Sequence, residues 1–553
     1  MERSTATRDH WSYQLRRSRL WGLRLLALLP GPVRLRAAES LCRRPDQPGP
    51  APEHVLQYLV SDTLSRRRRD AAAPHEPPSV ESPGRTSRPK AVTVGQADFF
   101  YRSQYRQFCS PVMAAFASTA VQVLAATGAA QRGHLWAARR PAVSAMLPAD
   151  PGDGLRPLLV VDEGTVAVAV LLPRASEGSD DLDAWVTQGA RMPRRLASLV
   201  DGNGIPSESG VARSTERTHV GSVCELVDAA LRNRFLALLA LHPFDPDAMG
   251  LHLTLFGVEG VRPDRLATDY GLDAAELEPH HAAAARHNAA LYFLVGGTAE
   301  VFTQCSQNLF TKRPLTLDAD PDPETGESRP ALGDLLAQQF ETLQVTVAAD
   351  GVPGASPRNG QIGRAAFLGH RRGRAYVLIP YHPGNAIHGH AAKLWSNPSG
   401  SIVVSDDHTA LRRATVSGHS TFLSHPAVAR RFPDIARTVT HPDCDEQTVD
   451  DPVYWFVTRA DHVVWESGTL APTELTPERP VCGIHAGGEG RHTKKPKYFD
   501  AASVDAYDMQ LQHLREVGSR RVDPTGERHA EWLASTKAAV EAREAHLSDL
   551  ATG

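Results

Sequence analysis

Two stretches of the chain share one pattern of asparagine, apolar run, turn, second run and glycine. The first is 231-LRNRFLALLAL-241 followed by 251-LHLTLFG-257, and the second is 395-WSNPSGSIVVS-405 followed by 412-RRATVSG-418. Each predicts a β-hairpin, because apolar and β-branched runs end at turn-forming residues. The same unit occurring twice predicts two related barrels in one chain.

Alignment of the two copies on Asn233 and Asn397 shows where they differ. The aligned pairs are Cys224 with His388, Leu226 with His390, and Ala229 with Lys393. Only the second copy therefore has a polar set at these positions.

Composition excludes several partner classes. Lys and Arg number 60 and Asp and Glu 63, giving a net charge of -3, which predicts no nucleic-acid or membrane partner. The six cysteines are scattered without a CxxC pair, which favours buried thiols in a reducing cytoplasm, although scattered zinc ligands or one reactive thiol remain open. The apolar run 20-LWGLRLLALLPGP-32 is too short to span a bilayer and is a poor signal peptide.

Changes in composition divide the chain into four parts. Residues 1–92 are rich in Arg, Pro and Ala and are predicted to be disordered. Residues 97–315 predict an α+β domain, in which 112-VMAAFASTAVQVLAATG-128 has the spacing of a helix. Residues 335–470 predict a small antiparallel barrel with short strands between turns, and 471–553 predict a loop and C-terminal helices.

The segment 385-NAIHGHAAKLWSNP-398 carries the most chemical information, and three interpretations compete for it. His388 and His390 have the spacing of a metal pair, but positions 391 to 400 contain no carboxylate to complete a shell. The same side chains could serve only structure, as hydrogen-bonded histidines and a solvated lysine. A strand end followed by a short helix with Lys393 one turn in would bind a phosphate, and the missing acid favours this interpretation.

The order of motifs over 364–466 resembles the FMN-binding split barrel of the pyridoxamine 5'-phosphate oxidase-like superfamily. The matching stretches are 373-GRAYVLIP-380, 387-IHGHAAKLWSNP-398, 415-TVSGHSTF-422 and 453-VYWFVTRADHVVWE-466. The resemblance implies an α+β chain of tandem split β-barrels, antiparallel and with flanking helices, the copy at 97–315 being divergent. It also implies a dimer or an intrachain pseudo-dimer, since family barrels bind their cofactor between two subunits.

The resemblance also implies a function and a set of site residues. Lys393, with His388 and His390, would contact the phosphate of FMN, and strand residues would line its ring. The ring-lining residues run from Val377 to Tyr381 and include Ile379 and Tyr381, and Arg374 on the same strand is a further cofactor-binding candidate. His382 is the candidate proton donor of a flavin-dependent oxidoreductase acting on a small molecule. Haem-binding members of the superfamily make haem the alternative cofactor, with histidine as the axial ligand, and a non-catalytic cofactor-binding module is a further alternative.

Overall fold

The computed structural model describes part of the chain. The described residues are 109–129, 141–147, 155–174, 179–242, 250–304, 312–314, 331–339, 341–348, 351–359, 365–381, 390, 393–394, 397–405, 412–423, 425–438, 452, 454–467, 473–475 and 527–552. The predicted disordered segment 1–92 lies outside them.

Helices and strands are both abundant, which confirms the predicted α+β class. The helices are α1 (Pro111–Ser118), α2 (Ser179–Gln188), α3 (Arg194–Asp201), α4 (His219–Asn233), α5 (Pro263–Tyr270), α6 (Ala274–Arg286), α7 (Leu332–Gln338), α8 (His425–Arg431), α9 (Pro433–Arg437) and α10 (Glu527–Thr552). The strands of the first half are β1 (Gln122–Gly128), β2 (Ala142–Leu147), β3 (Leu158–Asp162), β4 (Thr165–Pro173), β5 (Asn203–Ile205), β6 (Ser214–Thr218), β7 (Phe235–Leu241), β8 (Gly250–Val261) and β9 (Ala289–Gln304). Those of the second half are β10 (Lys312–Pro314), β11 (Glu341–Val347), β12 (Pro353–Asn359), β13 (Phe367–Arg371), β14 (Arg374–Tyr381), β15 (Ser399–Ser405), β16 (Arg412–Leu423), β17 (Tyr454–Arg459), β18 (His462–Ser467) and β19 (Thr473–Leu475).

The two main sheets have the same strand order. The first sheet runs β2-β1-β7-β8-β9-β4-β3 and the second β12-β11-β15-β16-β17-β14-β13, with antiparallel neighbours in both. The predicted hairpins are β7–β8 and β15–β16, and they occupy equivalent positions in the two sheets. The internal repeat predicted from sequence is thus confirmed at the level of topology.

The inner face of each sheet encloses its own core. In the first sheet this core includes α4, which the Thr218 side chain caps by accepting from Gly221 N at 3.3 Å. Val223, Leu226 and Val227 follow at helical spacing and are buried against the sheet. The second core collects alternate residues of β14 to β18 and of α7 in the same way.

The two sheets contact each other through a separate apolar cluster, here called the seam. Its members are Leu124, Ala126, Ala142, Met146, Leu239 and Leu241 of the first sheet, with Val345, Val347, Ala355 and Val403 of the second. At Gly128 a Cβ would lie 2.8 Å from Cγ1 of Val347, so the close approach there requires glycine. The Asn233 side chain crosses the seam and donates to the Gly351 carbonyl at 2.8 Å.

A segment of the first half, residues 203–218, also joins the second sheet. Its strand β6 pairs in parallel with β18. Beneath this pairing, Arg413 donates to Glu466, and His219 Nδ1 lies 3.0 Å from the same carboxylate. Burial, and then the Arg413 charge, lower the pKa of His219 to about 3. These contacts attach α4 of the first half to the second sheet.

One expectation for local structure is wrong. The helix predicted over 112–128 ends at Ser118, and Gln122–Gly128 forms β1. Val121 and Val123 favour strand over helix, and pairing with β2 and β7 decides the outcome. Strands β11 and β12 were not predicted, and they line the site described next.

Candidate functional site

The second sheet carries a buried polar patch on its inner face, where β11 pairs with β12. Residues alternate along a strand, so one set of side chains faces the seam and the other faces inward. The inward set, here called the polar patch, consists of Thr342, Gln344, Thr346, Gly354, Ser356 and Arg358. Burying polar groups costs free energy unless they find partners, so the partners of each side chain show what the patch can do.

His390 is held between two hydroxyls of the patch. Thr346 Oγ1 lies 2.7 Å from Nδ1, and Ser356 Oγ lies 2.7 Å from Nε2. Burial lowers the pKa of His390 well below its usual 6.5, and the charges of Arg358, Lys393 and His252 lower it further. The imidazole is therefore neutral, with one nitrogen donating and the other accepting.

Lys393 places its ammonium group beside the patch. The residue is 4% exposed, and a Cβ at Gly354 would lie 3.0 Å from its Cε and 3.1 Å from its Nζ. Asn397 N donates to the Lys393 carbonyl at 2.9 Å, and the Asn397 side chain donates to the Val347 carbonyl at 2.9 Å. These bonds connect Lys393 through Asn397 to β11.

Tyr381, Gln344 and Arg358 form a second group in the patch. The Tyr381 hydroxyl donates to Gln344 Oε1, and Arg358 Cζ lies 4.1 Å from the centre of the Tyr381 ring. Burial raises the pKa of Tyr381, while the charge of Arg358 and a hydrogen bond from it act in the opposite direction. The guanidinium is thereby oriented on the aromatic face.

The electrostatic environment of His390 is positive. The charged groups that shift its pKa are Arg358, Lys393 and His252, and no carboxylate of the described residues is among them. His252 belongs to β8 of the first sheet, where its ring stacks on Phe302 at 4.4 Å. Such a site suits an anion.

The structure brings some of the predicted site residues together and separates others. His390, Lys393 and Tyr381 all lie at the polar patch, and fully buried Ile379 shares the inner face of β14 with Tyr381. Arg374 is exposed at the opposite end of β14, about 20 Å along the strand from Tyr381. His382 and His388 lie outside the described residues.

Four site residues were not found from the sequence, namely Gln344, Thr346, Ser356 and Arg358. A signal was present, because 342-TLQVTV-347 alternates polar and apolar residues. That alternation is usually interpreted as a strand with one face in water. Here the polar face is buried, as at Gln344 and Thr346, each 0% exposed.

The donor set suits an anionic group such as a phosphate. Lys393 and Arg358 are cations that only donate hydrogen bonds, which is what a phosphate requires. His390 has both ring nitrogens engaged by hydroxyls, which leaves neither for an iron ion. Among the described residues no group of three or more His, Cys, Asp or Glu side chains could hold a metal ion.

Comparison with solved structures finds partial similarities. They include HupZ of Group A Streptococcus (15% identity, 24% of this chain and 87% of that one, TM-score 0.17). HutZ, the haem storage protein of Vibrio cholerae, matches at 18% identity over 25% of this chain and 90% of that one, with a TM-score of 0.15. A pyridoxamine 5'-phosphate oxidase-related, FMN-binding protein of Nostoc punctiforme matches at 12% over 22% and 70%, also at 0.15. TM-scores this low do not by themselves define a fold or a function.

No protein family and no curated protein matches the sequence. Within the described part of the chain, no helix has the length and apolar character needed to cross a membrane.

Proposed function

We propose that the chain is an FMN-dependent oxidoreductase of the split-barrel superfamily that acts on a small molecule. The observation that carries this proposal is the polar patch, which includes Arg358, together with Lys393 and the neutral His390 that lie against it. The resemblance of residues 364–466 to the superfamily supports it, since His390 and Lys393 of one of its motifs lie at this patch. The seam would then be the intrachain counterpart of a two-subunit interface.

The residues of the patch have distinct roles in this proposal. The Lys393 ammonium would bind the phosphate as a point charge, in the space that glycine at position 354 leaves for it. Thr346 and Ser356 hold His390 in one orientation, and the ring, which burial keeps neutral, adds no charge of its own. FMN, when bound, would supply hydride or electron transfer. The role of His382 as proton donor remains a prediction.

The visible spectrum of the purified chain tests the cofactor. We expect the two-band spectrum of a flavin, and FMN should bind more tightly than riboflavin, which lacks the phosphate. Lys393→Met removes the charge but keeps an unbranched side chain. It should weaken FMN binding about 10- to 100-fold, which corresponds to one charge-assisted hydrogen bond, and leave riboflavin binding unchanged.

The matched control is Lys537→Met on the exposed side of α10, which should bind FMN like the unchanged chain. A Soret band in place of flavin bands would assign haem instead. A colourless chain that binds neither FMN nor riboflavin would reject the proposed function.

A further inference from the structure

Gln344 is a buried amide whose oxygen has a hydrogen-bond partner and whose nitrogen has none. Its side chain lies on the inner face of β11 and is 0% exposed. Oε1 accepts from Tyr381, whereas Nε2 has no acceptor. A buried amide nitrogen without an acceptor is costly, and such groups in a native protein call for an explanation.

The orientation of this amide is fixed by its neighbours. Arg358 can only donate hydrogen bonds, so the Tyr381 hydroxyl accepts from Arg358 and has its proton free for Gln344. Gln344 must then present Oε1 to the hydroxyl, which leaves the amide N–H groups as donors toward the interior. Arg358 thus donates to the Tyr381 hydroxyl, and this hydroxyl donates to Gln344.

We propose that Gln344 recognises a hydrogen-bond acceptor on the ring of the bound cofactor, a carbonyl oxygen or an unprotonated ring nitrogen. This inference rests on the proposed function and adds a second contact to the phosphate contact of Lys393. Gln344 is two residues from Thr346, which pairs with Gly354 beside Lys393. The two contacts are therefore about 7 Å apart along β11, so one ligand with an anionic end and a carbonyl-bearing ring reaches both.

In this arrangement Gln344 is the binding residue, and Tyr381 and Arg358 are positioning residues. The first sheet provides an internal contrast, because the residue equivalent to Gln344 by strand register is Ala125. Ala125 is buried in an apolar core and needs no hydrogen-bond partner. Alanine fills the equivalent position in the first sheet, so packing alone does not require a glutamine at position 344.

The test separates recognition of the ring from recognition of the phosphate. Gln344→Met keeps the size of the side chain and removes the amide. It should weaken FMN and riboflavin by the same factor, about tenfold, so that the ratio of the two affinities stays unchanged. Lys393→Met should change that ratio. Tyr381→Phe, which frees the amide to rotate, should lower both affinities by a smaller factor.

Gln339→Leu is the control for loss of a buried glutamine, since its Nε2 already donates to the Leu335 carbonyl at 3.1 Å. It should leave both affinities unchanged. Gln344→Glu, which keeps a polar side chain but replaces the N–H donors by an acceptor, should weaken both flavins at least as much as the methionine variant. Flavin affinities of Gln344→Met and Gln344→Glu within about twofold of the unchanged chain would overturn this inference alone. Absence of flavin binding by the unchanged chain would overturn the proposed function and this inference together.

Discussion

The two sheets of this chain share one strand order, but the inner face of the first is mostly apolar and that of the second carries the polar patch. Register matching on Asn233 and Asn397 pairs each inward residue of β1 and β2 with one of the polar patch. The pairs are Val123 with Thr342, Ala125 with Gln344, Thr127 with Thr346, Val143 with Gly354, Ala145 with Ser356, and Leu147 with Arg358. Five of the six first-sheet members belong to one apolar core.

The seam, in contrast, is built from apolar side chains of both sheets. The seam requires complementary apolar surfaces from both partners, so both copies keep it. The inner faces of the two sheets can differ. Leu226 and Ala229 of α4 fill the core of the first sheet, and His390 and Lys393 are the aligned residues of the second copy. A repeated fold can thus retain its contact surface in both copies and its polar site in one.

The largest expected effect comes from placing a polar side chain in the apolar core of the first sheet. Leu226→His would bury an imidazole in the apolar core of the first sheet. We expect a loss of about 4 kcal/mol in the free energy of unfolding, from the lost apolar contacts and the uncompensated polar group. Urea denaturation measures it. The control Leu533→His, on an exposed part of α10, should change stability by less than about 0.5 kcal/mol. Equal effects in the two variants would contradict the contrast between the interiors.

The next effect concerns the feature that the two sheets share, the seam. Gly128→Ala would place a Cβ 2.8 Å from Cγ1 of Val347, so β1 and β11 would have to separate. We expect a loss of about 2 kcal/mol in unfolding free energy. Gly204→Ala is the control, because a Cβ there meets no atom within 4 Å. If both variants unfold at the same urea concentration, the seam is looser than described.

A smaller effect should appear as a dependence on pH. The folded pKa of His390 lies well below 6.5, so between pH 6.5 and the folded pKa the unfolded chain takes up a proton that the folded chain does not. The contribution of His390 to the free energy of unfolding is therefore fully present above about pH 6.5 and decreases as the pH falls below that value. In His390→Gln the fall between pH 6.5 and pH 5 should be smaller by up to about 2 kcal/mol.

His219 and His462 contribute to the same acid-induced loss, because burial lowers their pKa values to about 3 and about 4. They are unchanged in the His390→Gln variant, so the difference between the two pH profiles isolates His390. Parallel profiles would mean that His390 titrates alike in the folded and unfolded chains.

Sequence patterns predicted the hairpins and the repeat because those depend on local alternation and on turn residues. The helix expected over 112–128 failed because small residues such as Ala125 and Ala126 fit either structure, and pairing with β2 and β7 decides. The motif around Lys393 could be recognised because its spacing is local, and the fold places its residues His390 and Lys393 beside the polar patch. Gln344 and Arg358 could not be found in the same way, because their side chains meet Tyr381 only when β11, β12 and β14 come together in space.

Because β6 of the first half pairs with β18, the second sheet is complete only when part of the first half is present. A shortened chain that began at residue 331 would contain all seven strands of the second sheet's main order but not β6. Strand β18 would then present unpaired backbone groups, an edge that invites association between chains. Glu466 would at the same time lose His219. The second half is therefore repeat-like in sequence, yet as a separate protein it would be prone to aggregation.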